Sequence, residues 1–152
     1  MKITADMKDA ELKMTLKQLS QKLNNLKSPL NHTGYHLLEI VSNSFENEAS
    51  PDGTNWANLS PKYLDYKRRI GKEKKLQISR HLENSIDFEA TTDYMILGTN
   101  LIYAPIHQFG GKTGRGHKAT IPSRPFLPIT KDADIYEDIV KDIVEIFKDY
   151  LI

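Results

Sequence analysis

The chain has 152 residues, of which 39% are hydrophobic and 27% charged, so it suits one globular domain, with or without mobile ends, rather than wholesale disorder. Its net charge of +1 gives the whole molecule no field that would attract polyanions, and the absence of cysteine excludes a disulfide scaffold, a thiol nucleophile and a Cys-ligated zinc site. No apolar run approaches the roughly 18 residues of a membrane span, and the N-terminus lacks the apolar core of a signal peptide, so we expect a soluble cytoplasmic protein without a membrane partner.

The N-terminal segment predicts a helix with one leucine stripe. The leucines recur at spacings of 4, 3, 4, 3 and 4, which places them on one helical face. They are Leu12, Leu16, Leu19, Leu23, Leu26 and Leu30. We expect this helix to stop at Ser28-Pro29, because the residue before a proline is pushed out of the α region. The stripe fits either a short coiled coil or packing on the same domain or a neighbouring subunit, and it separates residues 1–30 from a main domain at 31–152.

Four further helices are predicted along the main domain. One runs from about Thr33 to Glu48, and a second begins at Pro61, with Ser60 as its N-cap. Ser79 is expected to cap a short helix, and Asp132 or Asp134 to cap an acidic helix at the C-terminus.

Between these helices the pattern changes. Apolar and polar residues alternate at 86–90, which predicts a half-buried strand, and residues 94–99 are expected to form the returning strand. Together they predict an antiparallel hairpin, which needs further partners for stability. Residues 103–109 form one or two helical turns. Four glycines and four basic or His residues at 110–118 predict a long mobile loop, and prolines brace an extended segment at 121–128. The predicted fold class is α+β, with helices at both ends and a small antiparallel sheet between them.

The small net charge hides an uneven distribution. Residues 62–80 hold eight basic and two acidic side chains, whereas residues 132–149 hold seven acids and two lysines. Copies with such opposite poles could stack head to tail, and two solvated helix faces would give the same pattern.

No motif for catalysis is complete. Residues 110–113 match the Gly-Lys-Thr end of a P-loop, but Ile106 stands where that motif needs its first glycine. His32, His36 and Glu39 have the spacing of metal ligands on a helix, although exposed or structural histidines are more common. No nucleophile elbow is present. The sequence therefore predicts no catalytic residue, no metal and no cofactor; a small hydrolase would need converging titratable groups that the sequence does not identify.

Basic residues also allow contact with nucleic acid. The 62–80 stretch is interleaved with Tyr63 and Tyr66, and residues 112–118 add further positive charge. There is no recognition-helix pattern, so non-specific contact with the DNA backbone is the alternative function that these stretches predict.

Five segments, taken in order, resemble the phage virion morphogenesis family, the tail-completion proteins of Mu-like tailed phages and prophages. They lie at 50–60, 82–86, 97–100, 103–111 and 121–127. Tyr63 and Lys67 follow the first segment, an acidic terminal helix closes the series, and the resemblance covers roughly residues 35–152. The most specific are Tyr-Ala-x-Ile-His-Gln-Phe-Gly-Gly at 103–111 and Ile-Pro-x-Arg-Pro-Phe-Leu at 121–127. The chain departs from the family at 78–82, where Ile-Ser-Arg-His-Leu replaces the usual Thr-Gly or Ser-Gly pair.

The resemblance implies a structural protein, not an enzyme, that finishes the tail at its head-proximal end. It implies assembly in the bacterial host cytoplasm and a place in the virion tail, with contacts to tail-tube or head-joining proteins. By analogy with other joining proteins, we expect copies to form a ring, possibly a hexamer. Candidate interface residues are Trp56, Tyr103, His107, Gln108, Phe109, Gly110, Gly111, Arg124, Pro125 and Phe126.

Three of these candidates have specific expected roles. Trp56 and Phe109 are the candidate interface anchors, with core packing as the alternative. Arg124 lies between two prolines, so we expect a displayed guanidinium that pairs with the acidic C-terminal helix of the same or the next subunit. On this hypothesis, exchange of Arg124 for Glu weakens assembly more than it weakens the monomer.

Overall fold

The computed structural model describes the backbone of residues 2–152 and the side chains from Ala10 onwards. The elements in this part of the chain are α1 Lys2–Leu23, α2 Lys27–Asn47, α3 Pro61–Arg69, α4 His81–Asn84, β1 Asp87–Ala90, β2 Met95–Gly98, α5 Ala104–Phe109, β3 Gly111–Thr113, β4 Ala119–Ile121 and α6 Glu137–Leu151. Among these residues the strands form two antiparallel hairpins, β1–β2 and β3–β4, which do not pair with each other. The α+β prediction is confirmed.

Helix α2 is the centre of the packing. Its apolar residues Leu37, Val41 and Phe45 recur every four positions, and all three are buried. The ring of Phe45 meets Trp56 edge-on at 5.4 Å and Phe126 at 5.5 Å. On other faces, α2 contacts the β1–β2 hairpin, α4 and α6. This helix therefore joins the irregular segments around Trp56 and Phe126 to the rest of the fold.

The boundary between α1 and α2 differs from the predicted one. Helix α2 begins at Lys27 and includes Pro29 in its first turn, where the proline needs no backbone N–H because that donor has no intrahelical partner. The chain turns at 24–26 instead, and the backbone N–H of Leu26 donates to Thr92 O at 2.9 Å. The predicted leucine stripe is therefore divided between two helices.

On α1 the stripe faces solvent. Leu12, Leu16, Leu19 and Leu23 are 37–56% exposed. Helix α1 is held near its C-terminus, where Lys22 Nζ donates to Tyr150 O at 2.9 Å. Of the described residues, none covers these four leucines fully.

Helix α6 starts later than predicted, and its N-cap is Tyr136 rather than Asp132 or Asp134. An isolated bridge between Ile129 and Ile135 closes a turn, in which Thr130 Oγ1 accepts from two backbone amides. Ile135 therefore lies outside the helix, while Ile139 is buried.

The short helix α4 also has a different N-cap. Arg80, not Ser79, precedes it and adopts a left-handed φ of 57°. The Arg80 guanidinium pairs with Glu83 at 3.0 Å in the first turn. This is the stretch where the sequence departs from the family pattern, and no side-chain cap replaces the predicted one.

The glycine-rich segment at 110–118 is not a structureless loop: it supplies β3 and the turn that leads into β4. Gly111 lies opposite Ile121, and a 3-10 turn at Arg115–His117 connects the strands. Gly114 and Gly116 adopt φ of 80° and 72°, which other residues rarely reach. At Gly110, a Cβ would lie 2.8 Å from Ser123 N, so only glycine permits this close approach of two backbones.

Gly34→Ala tests the contact between α2 and the first hairpin. A Cβ at Gly34 would lie 2.3 Å from two ring carbons of Phe88, so the ring or the helix must shift. We expect a net loss of about 1–2 kcal/mol in the free energy of unfolding, because overpacking outweighs the higher helix propensity of alanine. Urea denaturation measures it. Gly98→Ala in β2 is the control, since its Cβ meets nothing within 4 Å; equal losses in the two variants would contradict the packing explanation.

Candidate functional site

The two segments that carry the family resemblance lie against each other. The backbone N–H of Arg124 donates to His107 O at 2.7 Å. Gln108, which is buried, accepts through Oε1 from the backbone amides of Phe126 and Leu127, both at 2.9 Å. Helix α5 and the extended segment 121–128 therefore form one unit, held by side-chain amide and backbone hydrogen bonds rather than by a sheet.

Arg124 is buried in this unit rather than displayed. Its side chain is 6% exposed, and Nε and Nη2 donate to the carbonyl oxygens of Ala57 and Asn58 at 3.0 and 3.2 Å. Burial lowers the pKa of the guanidinium. The predicted pairing with the acidic helix of the same chain is therefore wrong. Exchange of Arg124 for Glu would place a carboxylate against two carbonyls, so it cannot separate assembly from folding.

The aromatic candidates divide into two groups. Trp56 and Phe126 lie in the core, and Trp56 Nε1 donates to Pro125 O at 2.7 Å. Core packing is therefore their observed role within the chain. Phe109 and Tyr103 are 46% and 42% exposed, so both retain surface for a partner. Gly110 and Gly111 bring β3 back alongside the extended segment.

A groove of about 720 Å³ opens on one side of this unit. Leucine, isoleucine and proline side chains form its walls, and Lys67, His107 and Arg124 supply its charged and titratable groups. We call it the basic groove. Lys67 is buried: its Nζ donates to Lys74 O and lies 5.9 Å from the centre of the Tyr63 ring. Burial lowers the pKa of Lys67; the charge of Glu48 opposes this shift, and the smaller effect of Arg124 adds to it.

His107 has an unsatisfied atom at this groove. Its Nδ1 is buried and has no hydrogen-bond partner among the described residues. The ring meets Tyr103 edge-on at 6.0 Å. Burial, followed by the nearby charge of Arg124, lowers the pKa of His107.

A second groove of about 570 Å³ lies beside the same unit. Its charged lining residues are Asp52, Asp132 and Lys131, and Phe109 and Tyr136 contribute aromatic surface. We call it the acidic groove. Burial raises the pKa of the Tyr136 hydroxyl, with a smaller contribution from the charge of Asp52. The unit of α5 and 121–128 therefore has two grooves of opposite charge.

The basic stretch at 62–80 is partly neutralised by the fold. Besides the buried Lys67, Arg68 lies within 4 Å of Asp65 and Glu73, Lys75 pairs with Glu48, and Arg80 pairs with Glu83. Within the part of the chain that the structure describes, the remaining cations without an ion pair in this stretch are Lys62, Arg69, Lys72 and Lys74, of which Lys74 donates to the backbone carbonyl of Glu46. The stretch therefore offers a polyanion less free positive charge than its eight basic residues suggest.

The possible metal ligands do not converge. His36 Nε2 lies 3.1 Å from Asp142 Oδ2, which joins α2 to α6. Across the described residues there is no group of three or more His, Asp or Glu side chains placed to hold a metal. No described helix has the length and apolar character needed to cross a membrane.

The model of the phage virion morphogenesis family matches residues 7–148. This chain belongs to that family. The match includes most of α1 as well as both distinctive segments, so the N-terminal helix lies within the region that the family shares.

Two relatives carry related names. The chain is 31% identical over 113 residues to the putative capsid assembly protein G of Escherichia phage Mu. The aligned region covers 70% of this chain and 72% of that protein. It is 54% identical over 63 residues to the Mu-like prophage FluMu G protein 2 of Haemophilus influenzae. This aligned region covers 40% of this chain and 46% of that protein. No solved structure matches the chain.

Sequence reasoning assigned no role to several residues that line the grooves. Lys67 is part of the series that carries the family resemblance, but nothing in the charge pattern distinguishes it from the other cations of its stretch. Its position one helical turn after Tyr63, which places both on one face of α3, was the available signal. Asp52 and Asp132 lie 80 residues apart in a turn and a loop, so only tertiary structure brings them together.

Gln108→Leu tests the amide clamp. The substitution leaves two amides in the core without an acceptor, so we expect a loss of about 2–5 kcal/mol in the free energy of unfolding. Chemical denaturation of the purified protein measures the loss. Gln18→Leu on the exposed face of α1 is the matched control and should change stability by less than about 0.5 kcal/mol. A small loss in Gln108→Leu would show that the clamp is dispensable.

His107 predicts a dependence of stability on pH. Because the pKa of the folded group is lowered, the unfolded chain takes up a proton near pH 6.5 that the folded chain excludes. Stability contributed by His107 is thus present above about pH 6.5 and is lost as the pH falls. In His107→Gln, urea midpoints should fall less than in the wild type between about pH 7.5 and pH 5.5. His81→Gln, at an exposed position, controls for loss of a histidine; identical pH slopes in all three proteins would contradict the prediction.

Proposed function

We propose that this chain completes the tail of a Mu-like phage or prophage at the head-proximal end, through contacts between its own copies and with tail-tube or head-joining proteins. The observation that carries the proposal is the unit of α5 and 121–128. The family's two distinctive segments meet there, and grooves of opposite charge flank the unit. A protein that acts by contact requires segments that form its surface, and it does not require a set of catalytic residues.

Exposed apolar side chains support a role in contact. The four leucines on α1, together with Phe109 and Tyr103, present apolar surface that the described chain leaves open. Larger exposed apolar patches mark interaction sites on soluble proteins. We therefore propose that the exposed leucines of α1 form a contact surface for a partner in the assembled particle.

Opposite charges on two grooves favour assembly of identical copies. A contact between unlike surfaces is heterologous, and repetition of such a contact closes a ring when the rotation between copies allows it. We propose a ring of copies, possibly six, formed in the host cytoplasm and retained in the virion tail. No catalytic step is part of this function.

The β3–β4 hairpin supports contact with DNA as a second candidate. Lys112, Arg115 and Lys118 are exposed there, and no ion pair to a described residue engages them. Backbone contacts of this kind weaken steeply with salt. Retention of the purified protein on duplex DNA at low salt, lost as salt rises, would support this candidate; absence of binding at low salt would exclude it.

Removal of the gene tests the proposed function. In an induced prophage that lacks this chain, we expect packaged heads and tails to accumulate without joining, and a plasmid copy to restore complete particles. Electron microscopy and plaque counts measure the outcome. Complete infectious particles in the deletion strain would overturn the proposal, and a failure to form heads would place the protein at an earlier, capsid step. As a control, a plasmid copy that carries Gly98→Ala, a change that the fold tolerates, should restore complete particles as the wild-type copy does.

A further inference from the structure

Successive residues of the extended segment 121–128 line different grooves. Pro122 and Arg124 line the basic groove, whereas Ser123 and Pro125 line the acidic one. Successive side chains of an extended chain point to opposite faces. The two grooves therefore lie on opposite sides of one rigid segment.

The same division continues on α5. Tyr103 and His107 line the basic groove, four residues apart on one helical face. Gln108 and Phe109 line the acidic groove. Phe109 is 46% exposed and shares the lining of this groove with Asp52, Asp132 and Lys131, so a bulky apolar ring lies in a groove with a net negative charge.

The basic groove is built to receive such a group. Its lining holds Lys67, Arg124 and His107, and no acidic side chain is present among the described lining residues. Glu48 lies near the two cations, but its carboxylate accepts from the backbone N–H of Lys75 and pairs with the Lys75 ammonium. The buried Nδ1 of His107 has no partner within the described chain. A volume of about 720 Å³ admits an aromatic side chain with its flanking residues.

We propose that the basic groove of one copy receives the rim of the acidic groove of a second copy, with Phe109 as the apolar anchor and Asp132 as the principal negative charge. This inference rests on the proposed self-assembly and assigns the surfaces that carry it. Because donor and acceptor surfaces lie on opposite sides of one segment, each copy offers one of each, and the contact is head to tail.

Other occupants fit the groove less well. The leucine stripe of α1 is accompanied by Lys17 and Lys22, so its charge opposes that of the groove. A DNA backbone brings no apolar side chain to cover the leucine, isoleucine and proline side chains that form the walls of the groove. A second copy brings an apolar ring and carboxylates together, which matches both properties of the groove.

The cysteine-free chain allows a direct test by cross-linking. Lys131→Cys places one thiol on the exposed lining of the acidic groove and keeps the Phe109 anchor, and Thr120→Cys places another on the exposed lining of the basic groove. The two full-length single-cysteine proteins, one isotopically labelled, are mixed and oxidised. We expect disulfides between unlike copies to exceed those between like copies at least tenfold by mass spectrometry. Lys131→Cys mixed with Asp93→Cys, on the first hairpin, is the control. No preference over this control would overturn the proposal.

Charge exchange gives an independent test. Asp132→Lys and Thr120→Glu should each weaken association about tenfold, which corresponds to 1.4 kcal/mol, in sedimentation across protein concentration. Together they should restore it, because the exchanged charges attract again. Asp93→Lys is the matched control. Association that withstands both single changes but is lost in Leu16→Gln would overturn the groove contact and leave self-assembly through α1 in place.

The failure of this inference is distinguishable from failure of the proposed function. A wild-type chain that stays monomeric at every concentration and forms no preferred disulfide overturns the groove contact, yet the prophage deletion still decides the role in tail completion. Conversely, preferred cross-links in a chain whose deletion leaves particles intact would support the contact and overturn the function. Thermal unfolding of each variant alone checks that the fold is retained.

Discussion

The clamp between Gln108 and the amides of Phe126 and Leu127 is the interaction on which this fold depends. A buried backbone N–H without an acceptor costs free energy, and an extended segment outside a sheet must find its acceptors elsewhere. One side-chain oxygen supplies two of them here. The clamp fixes Phe126 against Phe45 in the core and holds Arg124 where it reaches the 57–58 carbonyls. Without this connection, neither groove would have a defined wall.

Buried cations extend this solution to the other irregular segments. With two separate two-stranded hairpins in the described chain, sheet pairing satisfies little of the backbone. Arg124 bonds to the carbonyls of residues 57 and 58, and Lys67 bonds to the carbonyl of residue 74. Each cation fixes a loop whose carbonyls would otherwise turn to solvent. Removing one partner of such a buried set costs more than the set contributes as a whole, so these residues define the shape of the grooves rather than simply adding stability.

The elements with strong periodicity could be predicted from sequence, and those fixed by tertiary contacts could not. The apolar spacing in α2 and the alternation at 86–90, which forms β1, each report a local structure directly. Pro29 predicts the wrong helix boundary because a proline in a first helical turn and one after a helix look alike in sequence. The composition at 110–118 does not predict the β3–β4 hairpin, because the need for glycine at 110 comes from a close approach to the Ser123 backbone that only the folded chain contains. Arg124 was assigned to solvent because its acceptors are backbone carbonyls, which leave no trace in the pattern of charges.

The proposed contact also accounts for an overall charge near zero. Phe109 is a single exposed ring in a modest groove, so one head-to-tail contact is expected to be weak and the free chain need not aggregate. In a closed ring each copy makes two such contacts, and the last one forms within an assembly already held together. Its effective concentration then exceeds that of free chains, so a ring can be stable where a pair is not. Strong charge of one sign would have opposed this closure through repulsion between copies, whereas opposite charges on the two sides of the segment 121–128 favour it at every junction.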